Sequence, residues 1–219
     1  MSSTPRPAAL LFDLDGTLVD TAPDLARATN ALRAHHGLAP LPYAVIRAQV
    51  SNGGSALVTL ALGLAKESVG HDLARTFLLA AYGEAVANES RVFPPLSPLL
   101  HAWEASGRPW GIVTNKPRAF AEPLVEALAL APGALLCADD LPVKKPDPAP
   151  LLEASRRLGV SPSACWYLGD HLRDMQAARA AGMAAVAVGW GYVEDGEDYR
   201  LWPADLWFET GEALVAALK

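Results

Sequence analysis

An apolar run, Ala8-Ala9-Leu10-Leu11-Phe12, ends on Asp13-Leu14-Asp15-Gly16, and nothing else in the chain restricts its fold as strongly. A short continuous apolar run closed by acids and glycine reads as a buried strand. Residues two apart on a strand point to one side, so Asp13 and Asp15 can face one pocket. Gly16 permits the sharp turn needed to leave the strand. Two carboxylates held close together resist ionisation unless a cation sits between or beside them. Mg2+ suits such a pair, because it prefers hard oxygen ligands and is commonly held by one or two carboxylates together with a substrate phosphate. One aspartate is then able to attack phosphorus and form an aspartyl phosphate. Its neighbour can protonate the leaving oxygen and afterwards activate water. An acidic turn that merely closes a strand would carry the same residues, so the choice rests on the remainder of the chain.

A chain of 219 residues can bury one substantial core or divide into a main domain and a smaller one. Hydrophobic residues at 51% and charged residues at 19% exclude a disordered chain. The net charge of -6 gives no support to a nucleic-acid surface, and an anionic substrate has to find local positive charge. Cys137 and Cys165 lie far apart in apolar contexts and suggest neither a metal knuckle nor a disulfide framework, only two buried thiols. The segment Met1 to Pro7 contains no long apolar run, so neither a signal peptide nor a membrane span is expected, and the expected location is cytoplasmic.

Helical spacing marks Ala22 to His36, Tyr43 to Val50, Gly54 to Leu62 and Asp72 to Ala87, and no stretch of residues 21–92 reads as a strand. Beyond Phe93 the pattern alternates. Strands are expected at Trp110 to Val113, Leu135 to Ala138, Cys165 to Leu168, Ala184 to Val188 and Leu206 to Phe208. Helices are expected at Ser97 to Ala105, Ala119 to Leu130, Pro150 to Leu158, Met175 to Ala181 and Gly211 to Leu218. This alternation predicts an α/β fold, a doubly wound and largely parallel sheet with helices on both faces. Ligands of such sheets bind beyond the carboxyl ends of the strands, and Asp13, Thr114 and Asp170 all fall at or just past expected strand ends.

Four ordered segments, Asp13-Leu14-Asp15-Gly16-Thr17-Leu18, Val113-Thr114-Asn115-Lys116-Pro117, Lys144-Lys145-Pro146-Asp147-Pro148 and Gly169-Asp170-His171-Leu172-Arg173-Asp174, closely resemble the motifs of haloacid dehalogenase (HAD) superfamily phosphatases. Thr17 to Asp24 and the Val-Thr-Asn-Lys-Pro segment look like the phosphoglycolate phosphatase branch. Trp110 to Leu130 and Gly169 to Tyr192 are especially similar to bacterial N-acetylmuramic acid 6-phosphate phosphatases. Leu172-Arg173-Asp174 departs from the Arg-Asn-Asp common in phosphoglycolate phosphatases, which weakens a glycolate assignment. The resemblance implies a Rossmann-like core, residues 1–20 and 93–219, with an inserted helical cap at residues 21–92.

It further implies Asp13 as nucleophile and Asp15 as general acid and base. Mg2+ would be held by the Asp13 carboxylate, the Asp15 main-chain carbonyl and Asp170, with Asp174 as ligand or support. Thr114 and Lys145 would hold the non-bridging phosphate oxygens, Lys145 matching the family lysine better than Lys144. Asn115 is expected to orient phosphate or substrate, whereas Lys116 is expected to be solvated. The cap loop Ser51, Asn52 and Gly53 carries groups suited to polar contact with a ligand. The partner is then a small phosphoester, and the chain a monomer or homodimer. A phosphosugar mutase and a non-catalytic phosphometabolite-binding regulator stand as alternatives on the same residues.

Overall fold

The computed structural model describes residues 5–194 and 196–219. The opening apolar run forms β1 (Ala9–Phe12), and a short β2 (Val19–Asp20) follows the acidic turn. Four helices come next: α1 (Ala22–His35), α2 (Tyr43–Arg47), α3 (Gly53–Leu62) and α4 (His71–Gly83). A second short strand, β3 (Arg91–Val92), precedes alternating elements: α5 (Leu96–Ala105), β4 (Trp110–Val113), α6 (Arg118–Ala127), β5 (Ala134–Leu136) and α7 (Ala149–Leu158). The chain closes with β6 (Cys165–Gly169), α8 (Leu172–Ala180), β7 (Ala184–Val188), β8 (Leu206–Phe208) and α9 (Gly211–Leu218).

Six strands form one sheet in the order β5-β4-β1-β6-β7-β8, every neighbouring pair parallel. All four residues of β1 are fully buried because helices cover both faces. Leu10 and Phe12 join one apolar cluster with Ile112, Leu168 and Val186, while Ala9 and Leu11 join the opposite one with Val113, Tyr167 and Ala185. Central β1 is flanked by β4 on one side and β6 on the other. The chain therefore reverses its winding at β1, the place where such sheets open a crevice at their carboxyl ends. Asp13, Thr114 and Asp170 each follow one of these three strands directly.

Helices α1 to α4 pack on one another, with Leu25, Leu32, Ile46, Leu57, Leu78 and Tyr82 inside. Three details differ from the sequence expectation, one being that the helix expected over Asp72 to Ala87 spans His71–Gly83. The helix expected to Val50 ends at Arg47, and a 3-10 turn at Val50–Asn52 leads straight into α3. Gly53 joins the two with φ +78, a conformation that L side chains rarely adopt. The segment also contains a strand that was not expected, for Arg91 and Val92 pair antiparallel with Asp20 and Val19. Two residues carry no readable alternation, so periodicity could not reveal it. Beside this ribbon the buried Asp24 carboxylate accepts hydrogen bonds from the Ser90 amide and hydroxyl at 2.8 and 2.7 Å and from the Glu89 amide at 3.0 Å. Among the described residues no helix is long and apolar enough to cross a membrane.

Candidate active site

Asp13 Oδ1 accepts the Leu14 amide at 2.7 Å and faces Lys145 Nζ at 2.9 Å. The same ammonium meets Asp174 Oδ1 at 2.7 Å and donates to the Tyr167 hydroxyl at 2.7 Å. Tyr167 donates in turn to the Val113 carbonyl at 2.8 Å. A lysine has three donors, and Lys145, 2% exposed, has a partner for each. Its neighbour Lys144 is exposed, so Lys145 is the lysine brought to Asp13. Asn115 fixes that lysine from the main chain: its Nδ2 donates to the Lys145 carbonyl at 2.9 Å, and its Oδ1 accepts the Lys145 amide at 3.1 Å.

Asp170 is held differently. Its Oδ2 accepts the Tyr192 amide at 2.8 Å and the Ser51 hydroxyl at 3.1 Å, and its Oδ1 accepts Thr17 Oγ1 at 3.2 Å. Glycines make room for it. A Cβ on Gly16 would lie 2.2 Å from Asp170 Oδ2, and one on Gly191 would lie 2.2 Å from Asp170 Cβ. Asp174, fully buried, accepts the His171 amide at 3.1 Å as half of a capping box at the start of α8.

Carboxylate oxygens of Asp13, Asp170 and Asp174 come within 4.8 Å of one another. Burial raises Asp13 to about 6, with Lys145 opposing the rise and Asp174 adding to it. Burial raises Asp170 to about 7, and Asp13 and Asp174 push it the same way. Lys145 offsets Asp13 and Asp174, whereas among the described residues Asp170 has no cationic partner. Three crowded acids with one buried cation among them form an oxygen donor set that fits a hard divalent cation.

Asp15 lies outside that group. Its Oδ1 accepts Lys116 Nζ at 2.8 Å and Thr21 Oγ1 at 2.6 Å. Lys116 is therefore not solvated as expected: its side chain is buried, 4.5 Å from the centre of the Tyr82 ring. Burial is the largest single influence on its pKa and lowers it, but the charge and hydrogen bond of Asp15, with Tyr82 acting the same way, together outweigh burial and hold the ammonium above its ordinary range. A lysine in a loop is ordinarily exposed, and the one sign to the contrary was its place directly after Thr114-Asn115 at a strand end.

A cavity of about 460 Å³ opens above these groups. Asp13, Asp15, Thr114, Asn115 and Lys145 line its floor; Ser51, Asn52 and Gly53 line its roof together with α4. Thr114 is buried and accepts the Lys116 amide through Oγ1 at 3.1 Å. The roof is tied down by contacts that the sequence did not disclose. Arg173 donates to the Ser51 carbonyl at 2.8 Å and to Asn52 Oδ1 at 3.3 Å, Asn52 donates to Glu194 at 2.7 Å, and Arg47 reaches the carbonyls of Trp190 and Gly191, each at 3.1 Å. His171 caps α8, its Nδ1 accepting the Arg173 amide at 3.2 Å, and burial pushes its pKa down to about 4.

A sequence model of the haloacid dehalogenase-like hydrolases matches residues 7–182, and the chain belongs to that family. Within it the chain is a phosphoric monoester hydrolase. It is 41% identical over 215 residues to the N-acetylmuramic acid 6-phosphate phosphatase of Pseudomonas aeruginosa, covering 97% of this chain and 95% of the relative. It is 38% identical over 216 residues to a phosphoglycolate phosphatase of Xylella fastidiosa, covering 98% and 94%. The crystal structure of a predicted phosphoglycolate phosphatase from Haemophilus somnus superposes with a TM-score of 0.84 at 26% identity, over 99% of this chain and 100% of that one.

Proposed function

We propose that the chain is a Mg2+-dependent phosphomonoesterase that hydrolyses N-acetylmuramate 6-phosphate through an aspartyl phosphate on Asp13, with 2-phosphoglycolate as the alternative substrate. The observation that carries this reading is the cavity of about 460 Å³ above Asp13, far larger than a phosphoglycolate and in the range of pockets that enclose a sugar-sized ligand. Asp13 Oδ1 is occupied by the Leu14 amide and Lys145. The attack therefore falls to Oδ2, which forms the new bond to phosphorus as the bond to the sugar oxygen breaks. Asp15 protonates the departing oxygen. It then takes a proton from the water that cleaves the aspartyl phosphate and frees inorganic phosphate.

Thr114 holds a non-bridging oxygen, and a donor of this kind is typically worth about 3 to 4 kcal/mol of barrier. Lys145, held beside Asp13, offsets the phosphoryl charge from there and reaches a second oxygen by exchanging one of its present acceptors. Asp13, Asp170, Asp174 and the Asp15 carbonyl are the groups that would hold Mg2+, which when bound offsets the negative charge of the phosphoryl group and of the acids. Residues 21–92 act as a cap that excludes water and sets selectivity through Ser51, Asn52 and Gly53. The reading carries with it a cytoplasmic enzyme, monomeric or homodimeric.

Phosphate release with Mg2+, measured as kcat/KM on the two substrates in parallel, tests the assignment. A strong preference for the sugar phosphate is expected. Preference for phosphoglycolate would reverse the order of substrates, and activity on neither would overturn both.

A further inference from the structure

Arginines in this protein are engaged almost without exception. Arg27, Arg33, Arg47, Arg91, Arg118 and Arg173 each donate to main-chain carbonyls, and Arg6, Arg108, Arg156, Arg157, Arg179 and Arg200 also have acceptors. Arg75 is different: half-buried on α4, it donates to no protein atom among the described residues, yet it lines the cavity above Asp13. Lys66, from the loop between α3 and α4, lines the same cavity and is likewise without a hydrogen-bond partner there.

Helix α4 sets the position of this charge. Arg75, Leu79 and Tyr82, at i, i+4 and i+7, share one helical face, and all three line the cavity. Tyr82 marks the end near the chemistry, because its ring lies against Lys116, the partner of Asp15. Its hydroxyl has no hydrogen-bond partner although the residue is 1% exposed. A rise of 1.5 Å per residue puts Arg75 about 10 Å farther along the axis. One wall thus offers the ring of Tyr82, an apolar step at Leu79, and a guanidinium.

We propose that Arg75, seconded by Lys66, is a carboxylate-binding subsite that recognises an acidic group on the substrate at the end remote from the phosphoryl group. Guanidinium binds carboxylate with two parallel hydrogen bonds, and a partly enclosed arginine left without an acceptor is suited to a ligand that supplies one. The separation decides which acid reaches it. In 2-phosphoglycolate a single carbon stands between the phosphate oxygen and the carboxyl group, a span much shorter than the stretch of about 10 Å along α4 between Tyr82 and Arg75. N-acetylmuramate 6-phosphate places a pyranose ring between its phosphate and its lactyl carboxylate, and the ring would lie along Leu79. The proposal rests on the phosphatase reading of the cavity and adds to it the group that selects the substrate.

N-acetylglucosamine 6-phosphate differs from the muramate only in lacking the lactyl group, which makes the pair a direct test. The wild-type protein is expected to favour the muramate by about 10- to 100-fold in kcat/KM, the range of a hydrogen-bonded charge pair. Arg75→Gln should reduce that preference to within about threefold, chiefly through a higher KM for the muramate, and Arg75→Lys should restore part of it. Melting temperature serves as the control for folding, since Arg75 makes no hydrogen bond or ion pair among the described residues. An undiminished preference in Arg75→Gln, or no preference in the wild type, overturns the subsite and leaves the phosphatase reading intact. Wild-type protein that cleaves p-nitrophenyl phosphate but neither sugar phosphate overturns the substrate reading, and the subsite with it.

Discussion

Lys145 on the floor of the cavity and Arg75 on its roof are both cations, yet Lys145 places its three donors on Asp13, Asp174 and Tyr167 whereas Arg75 donates to no described protein atom. The difference extends to their neighbours. Asp170 accepts three hydrogen bonds and fills space that two glycines leave open, while the Tyr82 hydroxyl on the roof is buried without a hydrogen-bond partner. Groups that stabilise a transition state have to be positioned beforehand, because reorganisation during the reaction would cost part of what they supply. Groups that select a ligand gain by remaining unpaired until it arrives, because the incoming group then competes with no protein acceptor. One cavity contains both arrangements, and each should fail in its own way.

The largest effect belongs to the floor. Asp13→Asn keeps shape and size but cannot attack phosphorus, so kcat should fall by at least about 10⁴-fold with little change in melting temperature. Phosphate release at wild-type rate would remove Asp13 from its role. Lys145→Met should be damaging twice over. It withdraws the one cation beside two buried acids, which lowers stability by about 3 to 5 kcal/mol in chemical denaturation, and it lowers kcat by about 10² or more at saturating Mg2+. An equally stable variant would mean that the three acids are not in conflict.

Protonation sharpens the same point. Asp13 at about 6 and Asp170 at about 7 lie above the ordinary carboxylate value of 3.8, so without a divalent cation the folded chain holds more protons than the unfolded chain over that interval. Stability from these groups is present below pH 4 and is lost as pH rises through about 6 to 7. Mg2+ added to metal-free protein should therefore raise the melting temperature more at about pH 8 than at about pH 5. Equal shifts at both would contradict a site built from these acids. The roof supplies the smallest effect. Tyr82→Phe deletes a buried hydroxyl without a hydrogen-bond partner and should raise stability by up to about 1 kcal/mol with little change in KM; a stability loss in chemical denaturation would show that the hydroxyl has a partner in the free protein.

Floor and roof were not equally legible. Asp13, Thr114 and Asp170 occur in short contiguous segments at strand ends, where local pattern and position in the sheet coincide, and Lys145 in a short Lys-Lys-Pro-Asp-Pro segment of a loop, so a reading of the chain could gather them before any fold was known. Arg75 and Tyr82 lie in an ordinary amphipathic stretch, and their role depends on which face of α4 turns toward the sheet, a property of packing that no local pattern reports. Lys116 was misread for a related reason. Its residue type predicts exposure, and only the approach of Tyr82 from above and Asp15 from the side buries it. The missing short strand shows the same limit, since Arg91 and Val92 are defined by pairing with Val19 and Asp20 and not by any periodicity of their own.

That ribbon has a consequence for how the protein could be rebuilt. Val19 lies beside Val92, so the chain enters and leaves the helical segment at neighbouring points. Closing so narrow a gap needs only a short turn and costs little entropy. A graft of a foreign helical segment at this junction would keep Asp13, Asp174 and Lys145 together, but it would also remove the Ser51 hydrogen bond to Asp170 and the Thr21 hydrogen bond to Asp15, so recognition and the acid cluster would change together.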